Sequence, residues 1–286
     1  MNFSLWAPGA GRAELRLGGR VHPLLPGTGG VWRAELPPPG PEAGYRFALE
    51  GSEAWPDPCS LWQPDGIHGD SRWIDLAALR RHPAPPFRPR PLAEAVIYEL
   101  HVGTFTPEGT YAAVHGKLRH LAELGVTHVE LMPLATFPGR RGWGYDGVYL
   151  YAPHPAYGRP EDLAALVDAC HAHGLAVLLD VVYNHLGPDG NYAPKFGPYL
   201  TDRYKTDWGQ AMNFDGPGSD EVRRFVIDNA RMWLRDYGFD GLRLDAVHAI
   251  DCLGAVHVLE DLAAAVAALG QELGRDFVLI AESDLN

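Results

Sequence analysis

Only three cysteines, Cys59, Cys170 and Cys252, occur in 286 residues, and no two form a CxxC pair. This excludes a disulfide framework and fits unpaired thiols in a reducing cytoplasm, where the chain is expected to reside. Long apolar runs are missing too: none approaches the ~20 residues that a membrane-spanning helix needs. The opening MNFSLWAPGAGR lacks the basic n-region and apolar h-region of a signal peptide. Basic residues number 24 against 36 acidic ones, a net charge of −12 with histidine neutral. That sign argues against nucleic acid or an anionic membrane as a partner. No G-x-S-x-G elbow is present, which excludes a Ser-His-Asp hydrolase of the α/β type. No EF-hand spacing is present either. Cys170, His171 and His173 fall on a predicted helix, where positions i and i+2 diverge, so they read as packing residues and not as zinc ligands. We therefore expect no metal and no cofactor. Gly142-Trp-Gly-Tyr-Asp-Gly147 matches G-x-G-x-x-G literally, but prolines at 153 and 155 forbid the helix that a dinucleotide site requires. These glycines read instead as a tight turn facing a substrate.

What is present divides the chain. Hydrophobic residues make up 46% and charged residues 21%, which excludes wholesale disorder. Fifteen of the 25 prolines lie in residues 1–91. There the pattern is one of short strands (4–7, 13–17, 31–36, 45–49) between Pro/Gly turns, which predicts a small antiparallel β-sandwich. The Pro-rich stretch 82–92 reads as an extended linker. The domains are accordingly 1–91, sandwich plus linker, and 92–286. In the second region apolar strands at 96–101, 126–132, 176–182, 241–245 and 277–281 alternate with helical spacing at 111–124, 161–173, 220–237 and 255–269. Strands buried on both faces and joined by helices predict a parallel α/β sheet. Periodicity leaves open whether that sheet is doubly wound or part of a (β/α)₈ barrel. Both put ligands at the C-terminal strand ends.

Carboxylates recur at those ends. Asp180 lies on the third strand, Asp245 closes the fourth, and Glu282 closes the fifth. Arg243 and Asp245 are two residues apart, so a strand puts them on one face. A guanidinium beside Asp245 keeps it ionised, as a nucleophile requires. Glu282 follows Leu279-Ile280-Ala281, an apolar setting that predicts a raised pKa and suits a general acid. One ionised and one protonated carboxyl across a cleft is the glycosidase arrangement. The loop 183–218 is long and aromatic, and Tyr183, Tyr192, Tyr199 and Trp208 are candidates for stacking on sugar rings.

Residues 176–185 (AVLLDVVYNH), 238–248 (GFDGLRLDAVH) and 280–284 (IAESD) resemble three of the four signature segments of the α-amylase superfamily, glycoside hydrolase family 13. The resemblance implies an incomplete (β/α)₈ TIM barrel of about five βα units after the sandwich. It implies Asp245 as nucleophile and Glu282 as acid/base. Arg243, Leu244, Ala246, Val247, His248, His185, Asp180, Tyr145 and the weaker candidate Tyr151 are implied to line the substrate site. Tyr145 is implied to stack on the sugar at the scissile bond, and His185 to hydrogen-bond it. Residues 99–109 (ELHVGTFTPEG), 130–147 (ELMPLATFPGRRGWGYDG) and 180–192 (DVVYNHLGPDGNY) are similar to maltooligosyltrehalose trehalohydrolases. The implied partner is maltooligosyltrehalose or a related α-glucan. A branching or debranching enzyme, or a glucan-binding fragment without activity, is the alternative.

Length sharpens this reading. Residues 92–286 leave 195 positions for a barrel that typically takes about 250. The family's fourth segment, which carries a third carboxylate, has no counterpart here. We expect these residues to be the N-terminal part of a longer enzyme, poorly soluble and inactive by themselves. High glycosidase activity from this chain alone contradicts that expectation.

Overall fold

A computed structural model describes residues 2–40, 42–79, 87–206 and 208–285. The short Pro/Gly-punctuated segments form β1 (Asn2–Trp6), β2 (Ala13–Leu17), β3 (Arg20–Pro23), β4 (Leu25–Pro26), β5 (Val31–Glu35), β6 (Gly44–Leu49), β7 (Ala54–Trp55) and β8 (Ser71–Arg72). They make two antiparallel sheets, ordered β1-β5-β4 and β3-β2-β6-β7, with β8 also on β6. Alternation aims Phe3 of one sheet at Tyr45 of the other, with ring centroids 5.1 Å apart. Helix α1 (Leu76–Leu79) follows. Residues 82–86 of the expected linker lie outside the described residues, and 87–91 have neither helix nor strand.

The second region supplies β9 (Ile97–Leu100), α2 (Val102–Phe105), α3 (Tyr111–His115), α4 (Leu118–Leu124), β10 (His128–Leu131), β11 (Ala135–Thr136), β12 (Tyr149–Pro153), α5 (Pro160–Ala172), β13 (Ala176–Val181), β14 (Leu200–Thr206), β15 (Gly209–Met212), α6 (Ser219–Met232), β16 (Gly241–Leu244), α7 (Val258–Leu273) and β17 (Val278–Ala281). The helix expected over 111–124 is two helices, because Gly116 caps α3 before Lys117 starts α4. The helix expected over 220–237 gives way to a π-helical turn at Trp233–Tyr237, and Gly238 ends it in the left-handed conformation.

Strands β9, β10, β13, β16 and β17 are all parallel, in the order β17-β16-β13-β10-β9. Hydrogen-bonded neighbours are thus consecutive parallel strands, each reached over a helical crossover. Register is fixed by apolar parity: Leu179 pairs with Leu242, so Asp180 comes level with Arg243. At the N-terminal strand ends Asp240, fully buried, accepts hydrogen bonds from Val177 N (2.7 Å), His171 Nε2 (2.8 Å) and Arg275 Nη2 (2.5 Å). Those bonds tie α5, β13 and the entry to β17 at one point. A buried carboxylate is tolerated there because every neighbour is a donor.

The two regions share one continuous core. The loop between β13 and α6 carries much of the contact: Tyr199 packs edge-on against Trp6 (5.0 Å), and Phe196 against Phe47 and Trp55 (6.5 and 6.1 Å). Tyr183 is also buried, its hydroxyl donating to Asn229 Oδ1 at 2.8 Å. Tyr183 and Tyr199 therefore pack the loop and are not free to meet a sugar. Among the described residues no helix is long and apolar enough to cross a membrane.

Candidate active site

Parity and register bring four charged side chains to one end of the sheet. Arg243 Nη1 donates to Asp180 Oδ2 (2.8 Å) and Asp245 Oδ1 (2.9 Å), while Nη2 lies 3.5 Å from Glu282 Oε2. One guanidinium thus bridges carboxylates from β13 and from the ends of β16 and β17. Charge-assisted contacts of this kind are short and directional, and the planar fork of arginine serves them where lysine's point charge does not.

Around this hub each carboxylate has its own partners. Tyr145 donates its hydroxyl to Asp180 Oδ2 at 2.9 Å. Burial pushes the Asp180 carboxyl up to about 7, against the pull of Arg243 and of the Tyr145 hydroxyl. Burial also raises the Tyr145 phenol, and the Asp180 charge raises it further. Asp245 Oδ2 accepts from Asn184 Nδ2 at 3.1 Å, and the same amide donates to the Asp245 carbonyl at 3.0 Å. Glu282 Oε2 accepts from Ala246 N at 2.7 Å, and Glu282 O accepts from Val247 N at 2.9 Å. Glu282 was expected among apolar neighbours; its carboxylate meets a backbone N–H and a guanidinium instead. Chain parity explains this, because Leu279 and Ala281 take the other face of β17. Ala246, whose N–H bonds Glu282, adopts the left-handed backbone (φ 44°), which costs about 1 kcal/mol or more in a residue with a Cβ.

His185 has both ring nitrogens engaged, Nδ1 with Asn184 Oδ1 and Nε2 with the Tyr145 carbonyl (2.9 Å). The Trp208 indole lies flat on it, centroids 4.6 Å apart and planes 7° apart. His185 is consequently only 2% exposed, while Trp208, at the tip between β14 and β15, is 46% exposed. Tyr145 sits on the turn 144–147, which Gly144 makes possible: its φ is +97°, and a Cβ there would come 2.3 Å from Pro133 O. No helix follows this turn, since β12 does, so the G-x-G-x-x-G match is a loop.

Several predicted residues sit elsewhere. Leu244 is buried in the hydrophobic core, since period 2 sends it to the face opposite Arg243 and Asp245. Tyr151 is a core residue as well, donating its hydroxyl to Phe225 O (2.5 Å), so it does not stack on a ligand. His248 pairs with Asp284 (3.2 Å) on the exposed side of the cluster. His171 and His173 bond Asp240 and Ala169 O, and among the described residues no group of three or more His, Cys, Asp or Glu is placed to hold a metal. Asn184 joins the site through its bonds to Asp245. Glu130 lies level with Glu99 on the neighbouring strand, and burial and that second carboxylate both raise its pKa. Its isolated acidic position inside an apolar strand was the available signal.

If Arg243 neutralises this cluster, Arg243→Met should leave Asp180 buried and unpaired, at a cost of about 3–5 kcal/mol at pH 8. Protonated Asp180 is then the tolerated form, so the folded state holds a proton that the unfolded state releases. Stability should therefore recover as pH falls from 8 toward 5. Urea unfolding at both pH values checks this; a loss independent of pH contradicts it.

Comparison with known proteins gives a consistent family. Residues 99–216 match the model described as the alpha-amylase catalytic domain. The chain is 53% identical to the malto-oligosyltrehalose trehalohydrolase of Arthrobacter ramosus and 50% identical to that of Rhizobium sp. (strain M-11). Each alignment covers 99% of this chain and 50% and 49% of the relative, respectively. A solved structure described as a putative alpha amylase from Salmonella typhimurium superposes with a TM-score of 0.88 at 39% identity, over 100% of this chain and 48% of that one. The chain spans about half the length of the curated relatives it matches. Over residues 99–216 the chain is thus similar to alpha-amylase catalytic domains, and over 99% of its length to malto-oligosyltrehalose trehalohydrolases.

Proposed function

We propose that this chain carries the nucleophile and the acid/base of a retaining glycoside hydrolase that releases trehalose from maltooligosyltrehalose. The observation that carries the reading is the single guanidinium of Arg243 bridging Asp180, Asp245 and Glu282, in a chain half identical to trehalohydrolases. Asp245, kept ionised by Arg243, attacks the anomeric carbon at the α-1,4 bond next to the terminal trehalose. Glu282 gives its proton to the leaving oxygen as that carbon–oxygen bond breaks. Water then attacks the glycosyl ester, Glu282 takes the water's proton, and Asp245 leaves as carboxylate. Two inversions give net retention. Tyr145 would stack on the reacting sugar and His248 would border the neighbouring subsite, with Ala246 and Val247 holding Glu282.

The fold reading belongs to the same proposal. Residues 1–91 would be a β-sandwich with its linker, and 92–286 the first five units of a (β/α)₈ barrel. Two features support extension of the sheet by further strands: Ile97 and Tyr98 on β9 are exposed, and the side chains of β17 are only partly covered, whereas central β13 is buried throughout. The three free cysteines support a cytoplasmic location, and the acidic charge supports a neutral glucan over nucleic acid or membrane as partner.

The test is product analysis with the complete enzyme and maltooligosyltrehalose. Free trehalose should appear, and the newly formed reducing end should be the α-anomer. Shortened or branched glucans without trehalose would overturn the substrate assignment in favour of a branching or debranching enzyme.

A further inference from the structure

The indole of Trp6 reaches out of the N-terminal sheets into the long loop that follows His185. It stands at the end of β1, opposite Val31, and its Nε1 donates to Gly29 O at 3.1 Å, so the ring is held from its own side. The six-membered ring enters between two glycines of the loop. A Cβ on Gly197 would lie 2.9 Å from Cε3 and Cζ3 along one edge, and a Cβ on Gly218 would lie 3.2 Å from Cζ2 along the other. Gly218 needs its glycine in any case, with φ at +82°. Gly197 does not: its backbone lies outside the left-handed region, so the space taken by the indole accounts for the missing side chain. Tyr199 closes the wedge edge-on, with ring centroids 5.0 Å apart, and Trp6 is buried.

The wedge sits where the loop is tied together. Asn213, itself buried, donates from Nδ2 to Pro198 O and Pro217 O (2.9 and 3.0 Å), joining the residues beside Gly197 and Gly218. Its backbone N–H donates to Tyr199 O at 2.9 Å. Between these ties β14 and β15 run out to Trp208, which lies flat on the His185 ring. Two residues past Asn213, Asp215 Oδ2 accepts from Leu253 N at 2.8 Å, on the loop that leaves Asp245. We propose that Trp6 is a positioning residue of the active site, a wedge that holds the base of the loop at 197–218 and so places Trp208 over His185 and the segment after Asp245 beside the site. It acts only through that loop. Close packing suits an aromatic wedge to this task, because a rigid ring passes on a displacement that a flexible chain would absorb.

The kinetic part of this inference rests on the glycosidase reading; the packing part does not. Trp6→Ala is made in the complete enzyme. Amide hydrogen exchange, followed by mass spectrometry, should speed up in peptides spanning 197–218 and stay unchanged in β13 and β16. On any α-glucan the enzyme hydrolyses, kcat/KM per folded molecule should fall about tenfold, since about 1 Å of misplacement lowers turnover by about 10²-fold. Trp6→Phe, which keeps an aromatic ring in the wedge, should stay within about threefold of the parent. Gly197→Ala sets one methyl against the indole and should mimic Trp6→Ala in both readouts. Combined with Trp6→Phe its penalty should shrink, because the edge it meets is gone. That pair carries the test if Trp6→Ala does not fold. A folded Trp6→Ala whose loop exchanges like the parent's overturns the proposal, and so does a loosened loop with kcat/KM within about threefold of the parent. An equal Gly197→Ala penalty with Trp6 and with Phe at that position overturns it too. Faster loop exchange in an enzyme that releases no trehalose would leave the wedge standing and refute the substrate assignment alone.

Discussion

The site depends on one cation. Arg243 sits in mid-sheet, level with Asp180 on β13 and two residues before Asp245 on its own strand. Three carboxylates converge on it, and Glu130 and Glu99 lie on the strands beyond. Without the guanidinium the cluster would have to take up protons or draw in water to stay folded. With it, Asp180 and Asp245 share one counter-charge, and Glu282 is held within reach of the same point. The preference for arginine follows from geometry, since one planar group must satisfy several oxygens at once.

The rest of the structure keeps that arginine in place. Apolar pairs along β13, β16 and β17 fix the register, and a slip of one residue would send Arg243 and Asp245 to the helix side. At the far end of the same strands Asp240 performs the converse task, one buried carboxylate gathering donors from α5, β13 and Arg275. On the side of the long loop, Tyr199 and Phe196 anchor it to the N-terminal sheets, which frees the β14–β15 hairpin to lay Trp208 over His185. The antiparallel sheets thus reach the chemistry indirectly, by holding the loop whose tip covers the site.

Much of this was legible in the residues, and the exceptions have physical causes. Asp180, Arg243, Asp245 and Glu282 could be named because strand ends in an α/β sheet share one rim, and because period 2 aligns Arg243 with Asp245. The helical stretches expected to close at 124 and 237 are followed by Gly125 and Gly238, both with positive φ. Leu244 was grouped with the site by its place in a signature segment, although its parity already sent it to the core. Tyr183 and Tyr199 misled because an aromatic in a loop has no periodicity to reveal what it packs on, whereas Tyr151 lies on β12 and is buried there. The pairing of Asn184 with Asp245 spans 61 residues and depends on β13–β16 register, which local pattern does not encode. The left-handed backbone of Ala246 was hidden for a related reason: local propensity would place glycine there, and its N–H meets Glu282, 36 residues further along the chain.

The central claim is that Arg243 holds Asp245 as the ionised nucleophile of a double displacement. The most direct measurement is peptide mass mapping of the complete enzyme, rapidly quenched after exposure to a 2-fluoro glucosyl donor that forms the ester quickly and hydrolyses it slowly. The account predicts one glycosyl mass, on the peptide containing Asp245 and assigned to that residue by fragmentation. An enzyme that turns the donor over with no adduct, or with the adduct on Asp180 or Glu282, would contradict it.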